Sequence, residues 1–141
     1  MKCIITGGAG FIGSNLADKL VLLGHKVIII DDLSTGVKKN LSNIKNKIKF
    51  INCDISKETP KFKKIFNGAD WVFHLAGLAD IVPSIRDPKK YFKVNVEGTY
   101  TEYINGHLGP ELGHFKSFTF RDYNIDVNVN LPYAYTTENY L

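Results

Sequence analysis

Eight residues near the amino end, Thr6-Gly7-Gly8-Ala9-Gly10-Phe11-Ile12-Gly13, have the makings of an anion cradle. They contain Gly8-x-Gly10-x-x-Gly13 and a further glycine at position 7. The early glycines permit a tight turn, the middle one lets a pyrophosphate approach the backbone, and Gly13 lets a following helix pack on the preceding strand. The free N–H groups that open such a helix then face the anion. Asp31 lies 18 residues beyond Gly13, at the end of an apolar run. A carboxylate there accepts hydrogen bonds from adenosine ribose hydroxyls and repels a 2′-phosphate, which favours NAD over NADP. Asp32 stands beside it, and only one of two adjacent acids need face the ligand.

Other chemistries fit less well. No Lys-Ser/Thr pair follows Gly13, so a triphosphate-cleaving P-loop is disfavoured. His25, His74, His107 and His114 are scattered, without metal-ligand spacing, and no metal site is expected. The 141 residues, with 44% hydrophobic and 23% charged, suit one globular core. Sixteen Lys stand against two Arg, for a net charge of +4. So few guanidinium forks make nucleic acid a poor partner. Cys3 and Cys53 each adjoin an apolar run and read as core thiols in a reduced compartment. The apolar stretch at the amino end is too short for a signal peptide, and Gly24-His25-Lys26 interrupts Leu20 to Ile30 before it could span a bilayer. The expectation is a cytoplasmic protein that does not touch membranes.

The elements that must position these residues alternate in type. Strands are expected at Lys2–Thr6, Lys26–Ile30, Ile48–Asn52 and Asp70–Leu75, with continuous apolar runs such as Cys3-Ile4-Ile5 and Val27-Ile28-Ile29-Ile30. Continuous runs are what strands covered on both faces require. Helices are expected at Phe11–Leu23, Val37–Ile44 and Thr59–Phe66, with Ile12, Leu16, Leu20 and Leu23 on one stripe of the first and Gly24 ending it. Asp87-Pro88 opens another as N-cap and first helical residue, running to about Tyr103. The pattern predicts an α/β fold, a Rossmann-like doubly wound parallel sheet that is incomplete, with four parallel strands in the first 100 residues. The tail differs: residues 1–100 carry 16 Lys/Arg against 9 Asp/Glu, and residues 101–141 carry 2 against 5. In it Ile125, Val127, Val129 and Leu131 alternate with polar residues, as in a half-exposed strand, and Ser117–Phe120 is its candidate hairpin partner across a turn at Arg121–Asn124. Two units follow: a dinucleotide-binding half-domain over 1–100 and a divergent aromatic-rich tail over 101–141.

Five motifs in order carry a resemblance over residues 1 to about 100. They are Thr6 to Gly13, Asp31-Asp32-Leu33-Ser34-Thr35-Gly36, Cys53-Asp54-Ile55, Phe73-His74-Leu75-Ala76-Gly77 and Asn95-Val96-Glu97-Gly98-Thr99. This stretch resembles the N-terminal part of the extended short-chain dehydrogenase/reductase family, in particular its nucleotide-sugar epimerases and dehydratases. The resemblance implies NAD as cofactor, with Gly7, Gly10, Phe11, Ile12 and Gly13 at the pyrophosphate. It implies Asp31, Asp32, Leu33, Ser34, Thr35 and Gly36 around the adenosine ribose, and Asp54 and Ile55 at the adenine. Leu75, Ala76, Gly77 and Ala79 would run toward the nicotinamide ribose, and Asn95 would sit near the nicotinamide. Plainer readings stand beside some of these: Asp54 and Ser84 as turn residues, His74 as a packed strand residue, and Lys89, Lys90 and Lys93 as a solvated helix face.

The departure lies beyond residue 100. The family's Tyr-x-x-x-Lys, whose phenol is the acid/base and whose ammonium lowers the phenol pKa, is missing. Four residues after Tyr91, Tyr100, Tyr103, Tyr123, Tyr133 and Tyr135 stand Asn95, Ile104, His107, Val127, Thr137 and Asn139. General acid–base catalysis contributes about 10²–10⁴-fold, so no catalytic residue is assigned. The expectation is the NAD-binding domain of an NAD-dependent nucleotide-sugar epimerase or dehydratase, truncated, inactive by itself, and meeting a nucleotide-sugar only with a complementing chain. The alternatives are a non-catalytic dinucleotide-binding or regulatory module, in which the tail or a homodimer covers the sheet edge, and a degenerate remnant.

Overall fold

The computed structural model describes residues 1–57 and 64–101. Four strands, β1 (Lys2–Thr6), β2 (Lys26–Asp31), β3 (Ile48–Asn52) and β4 (Trp71–His74), form one parallel sheet in the order β3-β2-β1-β4. Lys2 pairs with Lys26 and Thr6 with Ile30; on the other side of β1, Cys3 pairs with Trp71. Helices among the described residues include α1 (Phe11–Leu22), α2 (Ile81–Arg86) and α3 (Pro88–Phe92), the last passing directly into a π-helical turn at Lys93–Glu97 and on through residues 98–101. No helix among the described residues is long and apolar enough to cross a membrane.

Successive side chains of β1 and β2 enter opposite layers. Cys3, Ile5, Val27 and Ile29 join Ala17 and Leu20 of α1 on one face. Ile4, Ile28 and Ile30 join Ile55, Phe66 and Ala69 on the other. Cys3, Ile4, Ile5, Ile29 and Ile30 are completely inaccessible, which is the physical reason for the unbroken apolar runs. Each of these isoleucines gains roughly 1.5–3 kcal/mol from leaving water. Cys53 departs from the core reading: it is half-buried, packed at the margin of the second layer.

Three local expectations are corrected. The stripe on α1 holds at Leu20, which is buried, and at Leu16, which packs against the core, but not at Ile12 and Leu23, which are 67% and 58% exposed; the buried face is Gly13, Ser14, Ala17 and Leu20. The helix meets the sheet through its small residues because Gly13 lies directly on the backbone of Gly7 and Gly8. Val37–Ile44 is not an α-helix but a 3₁₀ turn at Lys38–Leu41 prolonged by further i→i+3 bonds, Ile44 N to Leu41 O at 3.2 Å among them. Three residues per turn put Leu41 and Ile44 on one side, and both reach the core. Ser84, expected in a turn, lies within α2, where its hydroxyl donates to Ile81 O at 2.6 Å. Pro83 disguised that helix, although in a first turn its missing N–H costs no bond.

The expected ends hold where caps define them. Gly24, at φ +79°, donates to Val21 O, and His25 donates to Leu20 O, both at 3.0 Å, a Schellman closure of α1. Asp87 accepts from Lys90 N at 3.1 Å, with Pro88 in the first turn of α3. Most of the expected helix Thr59–Phe66, the end of the next near Tyr103, and the hairpin built on Ser117–Phe120 and Ile125–Leu131 lie outside the described residues.

Candidate functional site

A parallel sheet sends all its carboxyl ends to one edge, and ligands bind in the crevice there. The glycine turn after β1, the tip of β2, the first residues after β3 and the segment after β4 enclose a crevice of about 420 Å³ along that edge. This is within the usual size of a small-molecule site, about 300–1,000 Å³.

The turn fits a diphosphate by what its glycines leave out. Gly7 has φ +67°, and a Cβ there would stand 2.6 Å from the backbone of Leu75 and Ala76. The turn after β1 therefore lies against the segment after β4. A Cβ on Gly8 would stand 2.5 Å from the Ile29 side chain. Gly10 is the N-cap of α1 and supplies no capping side chain, and the first turn holds no acidic residue. The positive end of this helix and the N–H groups of its first turn therefore meet the crevice with no acidic side chain of the turn itself to neutralise them.

Asp31 ends β2 and is 7% exposed. Its Oδ2 accepts from Ala9 N at 2.9 Å and its Oδ1 from Leu33 N at 2.8 Å. Two of a carboxylate's roughly four acceptor positions are thus taken, which leaves capacity for ribose hydroxyls. Asp32, Ser34 and Thr35 also line the crevice, Asp32 accepting from Ser34 N at 2.9 Å. Leu33 and Gly36 do not. Leu33 takes a left-handed backbone, φ 61°, and packs its side chain against the core beneath the loop. Gly36 lies behind Asp31, where a Cβ would stand 2.8 Å from the carboxylate.

Asp54 and Ile55 face the crevice after β3. Burial opposes ionisation of Asp54, but the hydroxyl and N–H of Ser56 and the ammonium of Lys57 outweigh it and hold this carboxyl below the usual range. Asp54 is thus both a turn residue and part of the wall.

Leu75, Ala76, Gly77 and Ala79 form the wall after β4. Asn95 is not part of the wall. Its side chain accepts from Leu78 N at 2.8 Å and donates to Leu78 O at 2.9 Å, so it orients the wall from behind. His74 anchors, through Thr99, the helical stretch that carries Asn95. Its Nδ1 lies 2.8 Å from Thr6 Oγ1 and its Nε2 3.0 Å from Thr99 Oγ1, while Thr99 Oγ1 donates to Asn95 O at 2.6 Å. With its proton committed to Asn95, the Thr99 hydroxyl accepts from Nε2–H, and Nδ1 accepts from Thr6. Burial lowers the His74 pKa, in keeping with a neutral ring. Sequence reasoning missed Ile30, Cys53, Leu78 and Val94, which complete the wall. Their apolar side chains carry no signal that separates a crevice from a core. Among the described residues this wall carries no tyrosine and no lysine.

A glycine turn at a helix N-terminus, opposite an acid at the tip of the next parallel strand, defines a dinucleotide-binding α/β protein. The chain belongs to the NAD dependent epimerase/dehydratase family, whose profile matches residues 3–101. It is 38% identical over 106 residues to the UDP-glucose 4-epimerase of Mycolicibacterium smegmatis, covering 70% of this chain and 32% of that protein. It is 39% identical over 101 residues to UDP-glucuronic acid decarboxylase 1 of Arabidopsis thaliana, covering 70% of this chain and 22% of that protein. The crystal structure of Thermus thermophilus UDP-glucose 4-epimerase in complex with NAD superposes with a TM-score of 0.66 at 31% identity, over 74% of this chain and 33% of that one. The chain therefore spans a third or less of the length of these relatives.

Proposed function

We propose that this chain holds NAD in the crevice and is the cofactor-binding part of an enzyme that oxidises a nucleotide-linked sugar. The observation that carries the reading is the α1 N-terminus, with no acidic residue in its first turn, at a turn where Gly7, Gly8 and Gly13 leave no room for a Cβ, beside the buried Asp31 carboxylate. NAD bound there would accept a hydride from a sugar carbon. The chain's own residues do the holding: first-turn N–H groups of α1 meet the diphosphate, Asp31 takes the ribose hydroxyls, and Asp54 and Ile55 flank the adenine. Leu75, Ala76, Gly77 and Ala79 guide the other nucleotide, on a wall held in place by Asn95.

Removing the sugar hydroxyl proton needs a base, and the 141 residues contain no Tyr-x-x-x-Lys. We therefore assign to this chain cofactor binding without turnover, and sugar chemistry only with a further segment that brings the tyrosine and lysine. One relative is an epimerase and another a decarboxylase, so the outcome after oxidation belongs to that further segment. A cytoplasmic location accompanies the reading, with a homodimer as the assembly to look for by sedimentation.

Calorimetric titration tests the proposal. NAD should bind, NADP at least about tenfold more weakly because of Asp31, and a UDP-sugar should give no heat. Absence of NAD binding, or tight UDP-sugar binding by this chain alone, overturns it.

A further inference from the structure

Ala9, at the crest of the glycine turn, is completely buried, and both its polar backbone atoms are engaged across the fold. Its N–H donates to Asp31 Oδ2 at 2.9 Å. Its carbonyl accepts twice, from Val37 N at 3.0 Å and from Asn40 Nδ2 at 2.9 Å. The segment from Asp32 to Asn40 thus crosses over Asp31 and is fastened at both ends. Leu33 N–H holds the acid at one end, and Val37 and Asn40 hold the glycine turn at the other. Between them Gly36 passes so close that a Cβ would stand 2.8 Å from Asp31 Oδ1 and 3.0 Å from Ala9 Cβ.

The 3₁₀ turn that bears Asn40 does not depend on its amide. The turn is closed by Asn40 N to Val37 O at 2.9 Å and Ser42 N to Lys39 O at 3.1 Å, and it is anchored by Leu41, which is 3% exposed. What the Asn40 side chain adds is the link to Ala9. It does not line the crevice, yet it fixes the position of the turn that would cradle the diphosphate relative to the acid that would take the ribose.

We infer that Asn40 is a positioning residue for the adenosine half of the bound dinucleotide, acting through Ala9 on the glycine turn and Asp31 as one unit. The inference rests on the NAD reading above. It assigns a role to a residue that touches no ligand.

The test is a double-mutant cycle on the full chain, with NAD and ADP as probes. Asn40→Ala should weaken both by the same factor, roughly fivefold, the size of one net hydrogen bond. In an Asp31→Ala background the loss should shrink below about twofold, since residues that act as a unit are not additive. A purely structural role would lower the melting temperature and leave the two losses additive. Asn40→Ser serves if Asn40→Ala does not fold. Equal NAD affinity in wild type and Asn40 variant, or losses that add, overturns the inference and leaves the NAD reading standing. A wild-type chain that binds no NAD overturns both.

Discussion

The two sides of the crevice are built on different physics. The first, β1-α1-β2 with its glycine turn, is a core: Cys3, Ile5, Ala17, Val27 and Ile29 are at most 1% exposed, and the turn rests directly on them. The second, from Leu75 through the π-helical turn, buries no side chain of α2 or α3. Ile81 is 76%, Ile85 75%, Phe92 56% and Tyr100 65% exposed. Only its first residues join the core, Leu75 through its N–H on Thr6 O at 3.0 Å and Ala76 through packing on the second layer; beyond them its position comes from point contacts, Asn95 on Leu78, His74 between Thr6 and Thr99, and Gly98 against Ile55. The diphosphate side is held by burial throughout, and the opposite side, past its close approach to Gly7, by a few local contacts. Perturbations should therefore be global on the first side and local on the second.

The largest effect belongs to Gly13→Val, whose side chain would invade the backbone of Gly7 and Gly8. A loss above about 4 kcal/mol, read as collapse of cooperative denaturation, is expected; a folded variant of near-native stability would break the contrast. Next, Ile29→Ala removes a fully buried side chain shared by both strands and turn. It should cost about 2–5 kcal/mol in urea unfolding.

Asn95→Ala deletes both bonds to Leu78. About 1–3 kcal/mol is expected, and on the view of a locally held wall it should appear in hydrogen exchange as faster opening of residues 75–80, with β1 and β2 protected as before. Uniform loss across the sheet would mean that the two sides are one cooperative unit.

His74 sharpens the comparison through pH. Burial lowers its pKa in the folded chain below the ordinary imidazole value of about 6.5. The unfolded chain therefore takes up the proton first as pH falls. The stability tied to the neutral ring is complete above about pH 6.5 and drains away as pH drops toward the folded value. Melting curves from pH 8 to 5 should show a steeper decline for wild type than for His74→Gln. The smallest effect is expected of Ile85→Ser on exposed α2, within about 0.5 kcal/mol; a larger loss would mean that this surface is packed in solution.

Much of the first side was legible because its signals are local. Glycine spacing, unbroken apolar runs, Gly24 after α1 and Asp87-Pro88 before α3 each impose their geometry through backbone sterics or a bond spanning a few residues. Less was legible where a side chain's role depends on what comes near it. Ile12 and Leu23 were misassigned to the apolar stripe of α1 because the contact that decides its facing, Gly13 on Gly7 and Gly8, joins the helix to a turn rather than to a sheet face. Asn95 was expected beside the ligand and instead clamps a peptide 17 positions away, a pairing that no periodicity announces.

By itself, then, the sequence determined a parallel α/β sheet with a glycine turn ahead of a helix and an acid after the next strand, since strand, turn and cap depend on neighbours along the chain. Only the tertiary structure decided which residues of the loop after β2 face the crevice, with Ser34 and Thr35 at the wall and Leu33 and Gly36 behind it. It also decided that Asn40 is tied to Ala9 across 31 positions. These outcomes depend on the meeting of segments far apart in the chain, where a hydrogen bond of about 3 Å is set by the packing of the whole sheet.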